Sequence, residues 1–297
     1  MTPTTHLFTL PDGRSLDVFL GGDEAGFPLV MHHGTPSDST TFGDWDEPCG
    51  ERGFRLICAS RPGYATSTRL PGRDVARAAR DTADLLDLLG HYTFVTGGWS
   101  GGGPHALACA GLLHDRCWAS ATLAGVGPYG QDDLDFLAGM GPENVAEFGA
   151  AVEGEQALAV WMAEFAEPFR QVTGDEIAEA FGGLVPPIDV DVLKGGYANQ
   201  MAGEVRRALA HGFDGWIDDD LAFTNAWGFA VEDIKTPVTV WQGELDLMVP
   251  FAHGRWLATH LRRATQRMVP GHGHISIVTR YRDEILDDLR AAARLRT

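Results

Sequence analysis

The sequence predicts an α/β protein: a mostly parallel sheet flanked by helices on both faces, with an inserted all-helical cap. Three observations predict it. Short apolar, β-branched runs alternate with helical patterns through the first 125 residues. The alternation stops between residues 131 and 220, where only helical spacing is found. It resumes with two further strand segments, 237–242 and 264–269. The expected division is therefore a core of residues 1–130 and 221–297 and a helical cap of residues 131–220.

In chain order, His6-Leu7-Phe8-Thr9-Leu10 and residues 14–20 read as two strands. Pro11-Asp12-Gly13 supplies the turn between them, so an antiparallel edge is expected. Residues 27–32 form a short buried strand that runs into His33-Gly34-Thr35-Pro36. A tight loop in that place lies at the carboxyl edge of a parallel sheet. Residues 54–59 give the next strand, followed by Ser60-Arg61-Pro62-Gly63-Tyr64. Residues 75–89 form a helix with a wide leucine face, closed by Gly90.

Residues 93–97 are a buried strand, and Pro104 onward is a helix of small residues. Residues 117–124 form another strand. In the helical third, Leu158, Trp161, Phe165 and Phe169 recur at helical spacing beside Met162. Packing is the expected role of that stripe, with part of it, Trp161 above all, lining a pocket. Pro186-Pro187 and the glycines around Gly182 and Gly195 punctuate this third. A helix over 255–261 and an amphipathic helix over 281–295 complete the core.

Composition excludes several functions. The net charge is −18, and residues 131–220 carry 19 acidic against 4 basic side chains. Nucleic acid is not an expected partner, because phosphate binding needs a basic footprint. The acidity is expected to be a solvated face. No apolar run has membrane-spanning length, and the first residues lack the basic and apolar regions of a signal peptide. The four cysteines have no paired metal-type spacing, so a reduced, cytoplasmic setting is expected. No His/Cys/carboxylate cluster at ligand spacing marks a metal site.

Chemistry concentrates at Gly98-Trp99-Ser100-Gly101-Gly102, between a strand and a helix. A G-x-S-x-G sequence in that context is a nucleophile elbow, which holds the serine on a sharp turn with its hydroxyl exposed. No Lys-Ser or Lys-Thr pair follows the glycines, so a phosphate-binding loop is not expected. A serine hydroxyl needs a neighbouring base, and the base an orienting acid. Asp246 follows one late strand and His274 follows the last. Trp99 either packs under the sheet edge or lines the pocket.

With these residues the chain resembles the α/β-hydrolase superfamily, in its serine-nucleophile branch. Besides the elbow, the resemblance rests on four segments: His33-Gly34-Thr35-Pro36, Arg61-Pro62-Gly63-Tyr64, Gly243-Glu244-Leu245-Asp246 and Gly271-His272-Gly273-His274. It implies an eight-stranded sheet with a cap after the sixth strand, and a cofactor-free catalytic triad of Ser100, Asp246 and His274. The N–H groups of Thr35 and Gly101 would form the oxyanion hole. His272 is the alternative base and Glu244 the alternative acid. Aspartate-nucleophile relatives, the dehalogenases and epoxide hydrolases, do not fit a serine at position 100.

The expected function is hydrolysis of a carboxylic ester of a small, neutral, apolar substrate. Aminopeptidase, amidase and C–C bond hydrolase use the same triad and stand as alternatives. A non-catalytic binding protein on the same fold is the alternative of another class. His33 is expected to brace its loop, Arg61 to order its loop through carbonyl oxygens, and His32 and His105 to be structural.

Overall fold

The computed structural model describes residues 4–181 and 185–295. Gly182 and the first three residues, which figure in the sequence reading, lie outside them. Eight strands form one sheet: β1 (Thr5–Thr9), β2 (Ser15–Gly22), β3 (Phe27–His32), β4 (Phe54–Ala59), β5 (Phe94–Trp99), β6 (Cys117–Leu123), β7 (Val238–Gly243) and β8 (Ala264–Val269). Their spatial order is β1-β2-β4-β3-β5-β6-β7-β8. The pairs β1–β2 and β2–β4 are antiparallel, and all later pairs are parallel.

Alternate side chains of the central strands enter opposite layers, as a two-residue period requires. Leu29, Met31 and Leu56 face one apolar core, and Val30 and Ile57 the other. All six residues of β5 are buried, so the strand carrying the elbow is covered on both faces. Cys49, Cys58, Cys109 and Cys117 are free thiols buried in these layers.

Helices α1 (Asp46–Glu51), α2 (Arg77–Leu88) and α3 (Gly102–Leu112) connect the early strands. Between β6 and β7 the described residues contain helices only: α4 (Pro142–Glu153), α5 (Glu155–Trp161), α6 (Gly174–Phe181), α7 (Pro187–Val192), α8 (Ala198–Ala208) and α9 (Asp214–Thr224). Helix α9 runs across position 220. The aromatic stripe continues beyond α5 through a π turn, Met162–Ala166, and a 3-10 turn, Glu167–Gln171.

The core closes with α10 (Phe251–His260), α11 (His274–Arg280) and α12 (Arg282–Ala292). The expected closing helix is thus α12, preceded by a short helix that begins at His274. No helix among the described residues is long and apolar enough to cross a membrane.

Candidate active site

Four loops meet at one edge of the sheet because four parallel strands end there. Thr35 follows β3, Ser100 follows β5, Asp246 follows β7 and His274 follows β8. In an open α/β sheet this carboxyl edge is where the chain leaves a crevice.

Ser100 sits between β5 and α3 with φ of 55°, a left-handed conformation that a non-glycine residue rarely adopts. The turn is possible because strand and helix can touch. A Cβ on Gly98 would run into the carbonyl of Gly102, and one on Gly102 into the carbonyl of His32. Gly101 lies just ahead of α3, whose leading N–H groups lack intrahelical acceptors. The Thr35 side chain occupies the place a Gly101 Cβ would take, and a Cβ added to Gly34 would lie 3.6 Å from that of Ser100. The two loops expected to supply main-chain donors therefore face each other beside Ser100.

His274 Nδ1 lies 2.8 Å from Asp246 Oδ2. A carboxylate only accepts, so Nδ1 carries a hydrogen, and in the neutral tautomer this selects the lone pair is on Nε2. Asp246 is held from the other side. Its Oδ1 accepts from the N–H groups of Met248 and Val249 at 3.0 and 2.9 Å, and its Oδ2 accepts from Gln242 at 3.1 Å. The imidazole is fixed by Trp99, whose ring centroid lies 5.4 Å away and whose indole N–H donates to the His274 carbonyl. Trp99 both packs and lines the small cavity that Ser100 and His274 share. His272 contacts Tyr281 at 3.4 Å, and Glu244 is exposed; neither takes part in the pair.

A further carboxylate from the helical third positions His274. Asp189, fully buried on α7, accepts from the N–H groups of Ile275 and Ser276 at 2.9 and 3.0 Å. It thereby satisfies the first free donors of α11, whose first residue is His274.

The loop carrying Thr35 is pinned by a buried ionic network centred on Asp219 of α9. Arg61 reaches Asp219 Oδ2 at 2.6 Å and donates to the carbonyls of His33 and Gly34 at 2.6 and 2.9 Å. Arg73, Tyr64 and Thr35 also donate to Asp219, at 2.7, 2.9 and 2.7 Å. Burial alone would raise the pKa of this carboxyl, but Arg61 and Arg73 outweigh it and hold the group well below the usual carboxylate range. His33 bridges the Gly34 carbonyl and the Arg61 N–H. Burial first, then the charge of Arg61, holds its pKa well below that of a free imidazole. Burial and Arg61 likewise bring His105, 3.5 Å from Asp219, down to about 4.

Above Ser100 opens a cavity of about 530 Å³. Thr35, Ser100 and Gly101 form its floor, and Trp161, Phe165, Phe169 and Trp216 its aromatic wall. The stripe has split: Leu158 and Met162 are fully buried, whereas the three aromatic members reach the cavity.

The acidity of the helical third is not only a solvated face. Asp189, Glu204, Asp218, Asp219 and Asp220 are each 3 % exposed or less. The partners of Asp189, Asp218 and Asp219 lie far away in sequence, Arg61 being 158 residues from Asp219, which composition cannot reveal. Three successive acids after Trp216-Ile217 were the available signal, because neighbouring positions on a helix point in different directions.

The sequence matches the alpha/beta hydrolase fold family over residues 28–281. Among solved structures it is similar to a thermophilic esterase from Thermogutta terrifontis, at 21% identity and a TM-score of 0.70, with 98% of each chain covered. It is similar to an esterase from Exiguobacterium antarcticum, at 19% identity and a TM-score of 0.69, covering 98% of this chain and 100% of that one. It is also similar to an enol-lactonase from Burkholderia xenovorans, at 19% identity and a TM-score of 0.64, covering 97% and 100%. At such identities the likeness is one of fold. A search of curated proteins finds no match.

Proposed function

Because the chain belongs to the α/β hydrolase fold family, we propose that it is a serine hydrolase that cleaves a carboxylic ester through an acyl-enzyme. The pairing of His274 with Asp246 beside a serine on a left-handed turn carries the proposal. An imidazole whose Nδ1 hydrogen is committed to a buried carboxylate presents Nε2 as a base of fixed orientation.

In the proposed cycle, His274 Nε2 takes the Ser100 proton as Ser100 Oγ bonds to the ester carbonyl carbon. The electron pair of the C=O bond moves to its oxygen, which accepts hydrogen bonds from the N–H groups of Gly101 and Thr35. Collapse breaks the bond to the alkoxy oxygen, and His274 returns the proton to the departing alcohol. Water then enters by the same route, its proton going to His274, and the acid leaves as Ser100 regains its hydrogen. Asp246 stabilises the imidazolium in both halves. The Asp219–Arg61 network acts at one remove, keeping the Thr35 loop where its N–H can meet the developing charge.

The aromatic cavity supports a substrate whose non-reacting part is largely hydrocarbon. Ser100→Ala is expected to lower kcat/KM for a p-nitrophenyl ester by at least about 10⁴-fold, with unchanged circular dichroism. Retention of wild-type turnover in that variant would refute the proposal.

A further inference from the structure

Three acids line the aromatic cavity above Ser100, Glu143 and Glu147 of α4 and Asp220 of α9; Glu143 is exposed, which leaves Glu147 and Asp220 against the inner wall. Asp220 is 1 % exposed, and neither of its oxygens meets an N–H or O–H donor among the described residues. Its neighbours on the same helix differ. Asp218 is held by Arg69 at 3.0 Å, and Asp219 by Arg61 and Arg73. Arg73, the guanidinium whose charge also reaches Asp220, is committed to Asp219 at 2.7 Å.

Glu147 has one donor, the indole N–H of Trp216 at 2.6 Å. Its charge also acts on the nearby carboxyl of Asp220. Carboxylates only accept, so neither group can satisfy the other without a shared proton. Burial pushes both groups upward, and the charge of Glu147 adds to the effect on Asp220. The pair is thus an acceptor-rich spot in which no cation among the described residues is bonded to either carboxyl, in a cavity lined by aromatic side chains.

The geometry points to a site for an organic cation: an ammonium group of the substrate, seated between Asp220 and Glu147 with its hydrocarbon part against Trp161 and Trp216. Each of the other occupants fits worse. A wholly apolar group would leave the buried oxygens of Asp220 desolvated with nothing to accept from. An anion would meet like charge. An ammonium replaces the shared proton, satisfies both carboxylates and is attracted by the aromatic faces. The inference deepens the proposed function, since it takes this cavity to be the substrate chamber of Ser100. It requires no chemistry at Ser100, however, and so it can be tested without turnover.

The probes are cyclohexylmethylamine, a cation at neutral pH, and cyclohexylmethanol, a neutral molecule of similar shape. Their binding is read from the tryptophan fluorescence of the Ser100→Ala protein at pH 7, because Trp161 and Trp216 line the site. The amine is expected to bind at least about tenfold more tightly than the alcohol. In Asp220→Asn and in Glu147→Gln the two affinities should approach one another, with the alcohol's changed by less than about threefold. Equal affinities in the parent protein, or a preference for the amine that survives in both variants, would overturn the cation site. A parent preference lost in either folded variant supports it. Turnover of p-nitrophenyl esters, followed separately, decides the fate of the serine-hydrolase proposal and leaves this outcome unaffected.

Discussion

Glu204 illustrates what a single buried side chain does to the chemistry around Ser100. It lies on α8, 3 % exposed, at the wall of the small cavity shared by Ser100 and His274, and accepts from Ser37 at 3.3 Å. Burial first, then the neighbouring charge of Asp38, raises its pKa to about 8. At neutral pH it is therefore largely an uncharged acid. A raised carboxyl pKa contributes stability that is complete below the unfolded value and is lost as pH rises through about 8. Glu204→Gln lacks that loss. Its melting temperature relative to the wild type should rise between about pH 5 and pH 8 and level off above, as followed by calorimetry. A difference independent of pH would contradict the assignment. Residues of this kind are not legible in a sequence. The meeting of Ser100, Asp246 and His274 at one sheet edge was, because each carries its context in a few neighbouring residues: glycines flanking a turn, or a loop that closes a late strand. Glu204 shows nothing local that separates it from a solvated helical acid.

Helix α9 ties the helical third to the loop after β3. Its three consecutive aspartates divide their work by direction: Asp218 toward Arg69, Asp219 toward Arg61 and Arg73, Asp220 toward the cavity. Removing the charge of Asp219 leaves two guanidinium groups buried without it. Asp219→Asn should lower the unfolding free energy by about 3–5 kcal/mol in urea titrations at pH 7. The depressed pKa of Asp219 fixes the sign with pH. Its contribution is complete above the unfolded carboxylate range and lost as pH falls through the lower folded value. The penalty of the variant should accordingly shrink in acid; a penalty below about 1 kcal/mol at pH 7 would show that the network is not what fixes the loop.

Elements with a strong local period were readable in advance. The strands at 27–32 and 54–59 lie at the expected residues. The extent of helix α11 was hidden, because its first turn is completed by Asp189, which lies 86 residues from Ile275. The split of the aromatic stripe between core and cavity was also hidden, since helical spacing is the same for both fates.

For the whole molecule, the distribution of charge sets which ligands approach the crevice. The net charge of −18 is concentrated in the helices that roof the cavity, where Glu143, Glu147 and Asp220 are among its lining residues. Esters bearing carboxylates should therefore show lower kcat/KM than uncharged esters of equal size, by about tenfold at low ionic strength. The gap should narrow as salt screens the exposed part of the field. Steady-state kinetics from about 10 to 500 mM salt measures this, and a preference for the anionic esters would contradict it. The fold was legible at this scale because alternation, interruption and resumption of the strand pattern are global features. The docking of the helical third was not, since it depends on ion pairs such as Arg61–Asp219 that join distant parts of the chain.

The central claim is that Ser100 is a nucleophile activated by His274. The most direct measurement is peptide mass spectrometry after treatment of the folded protein with a fluorophosphonate. A single phosphonate adduct on Ser100, formed in the wild type and lost in His274→Ala, is the result predicted. A folded wild-type protein that takes up no phosphonate at Ser100, or that is modified there equally fast without the imidazole, would contradict it.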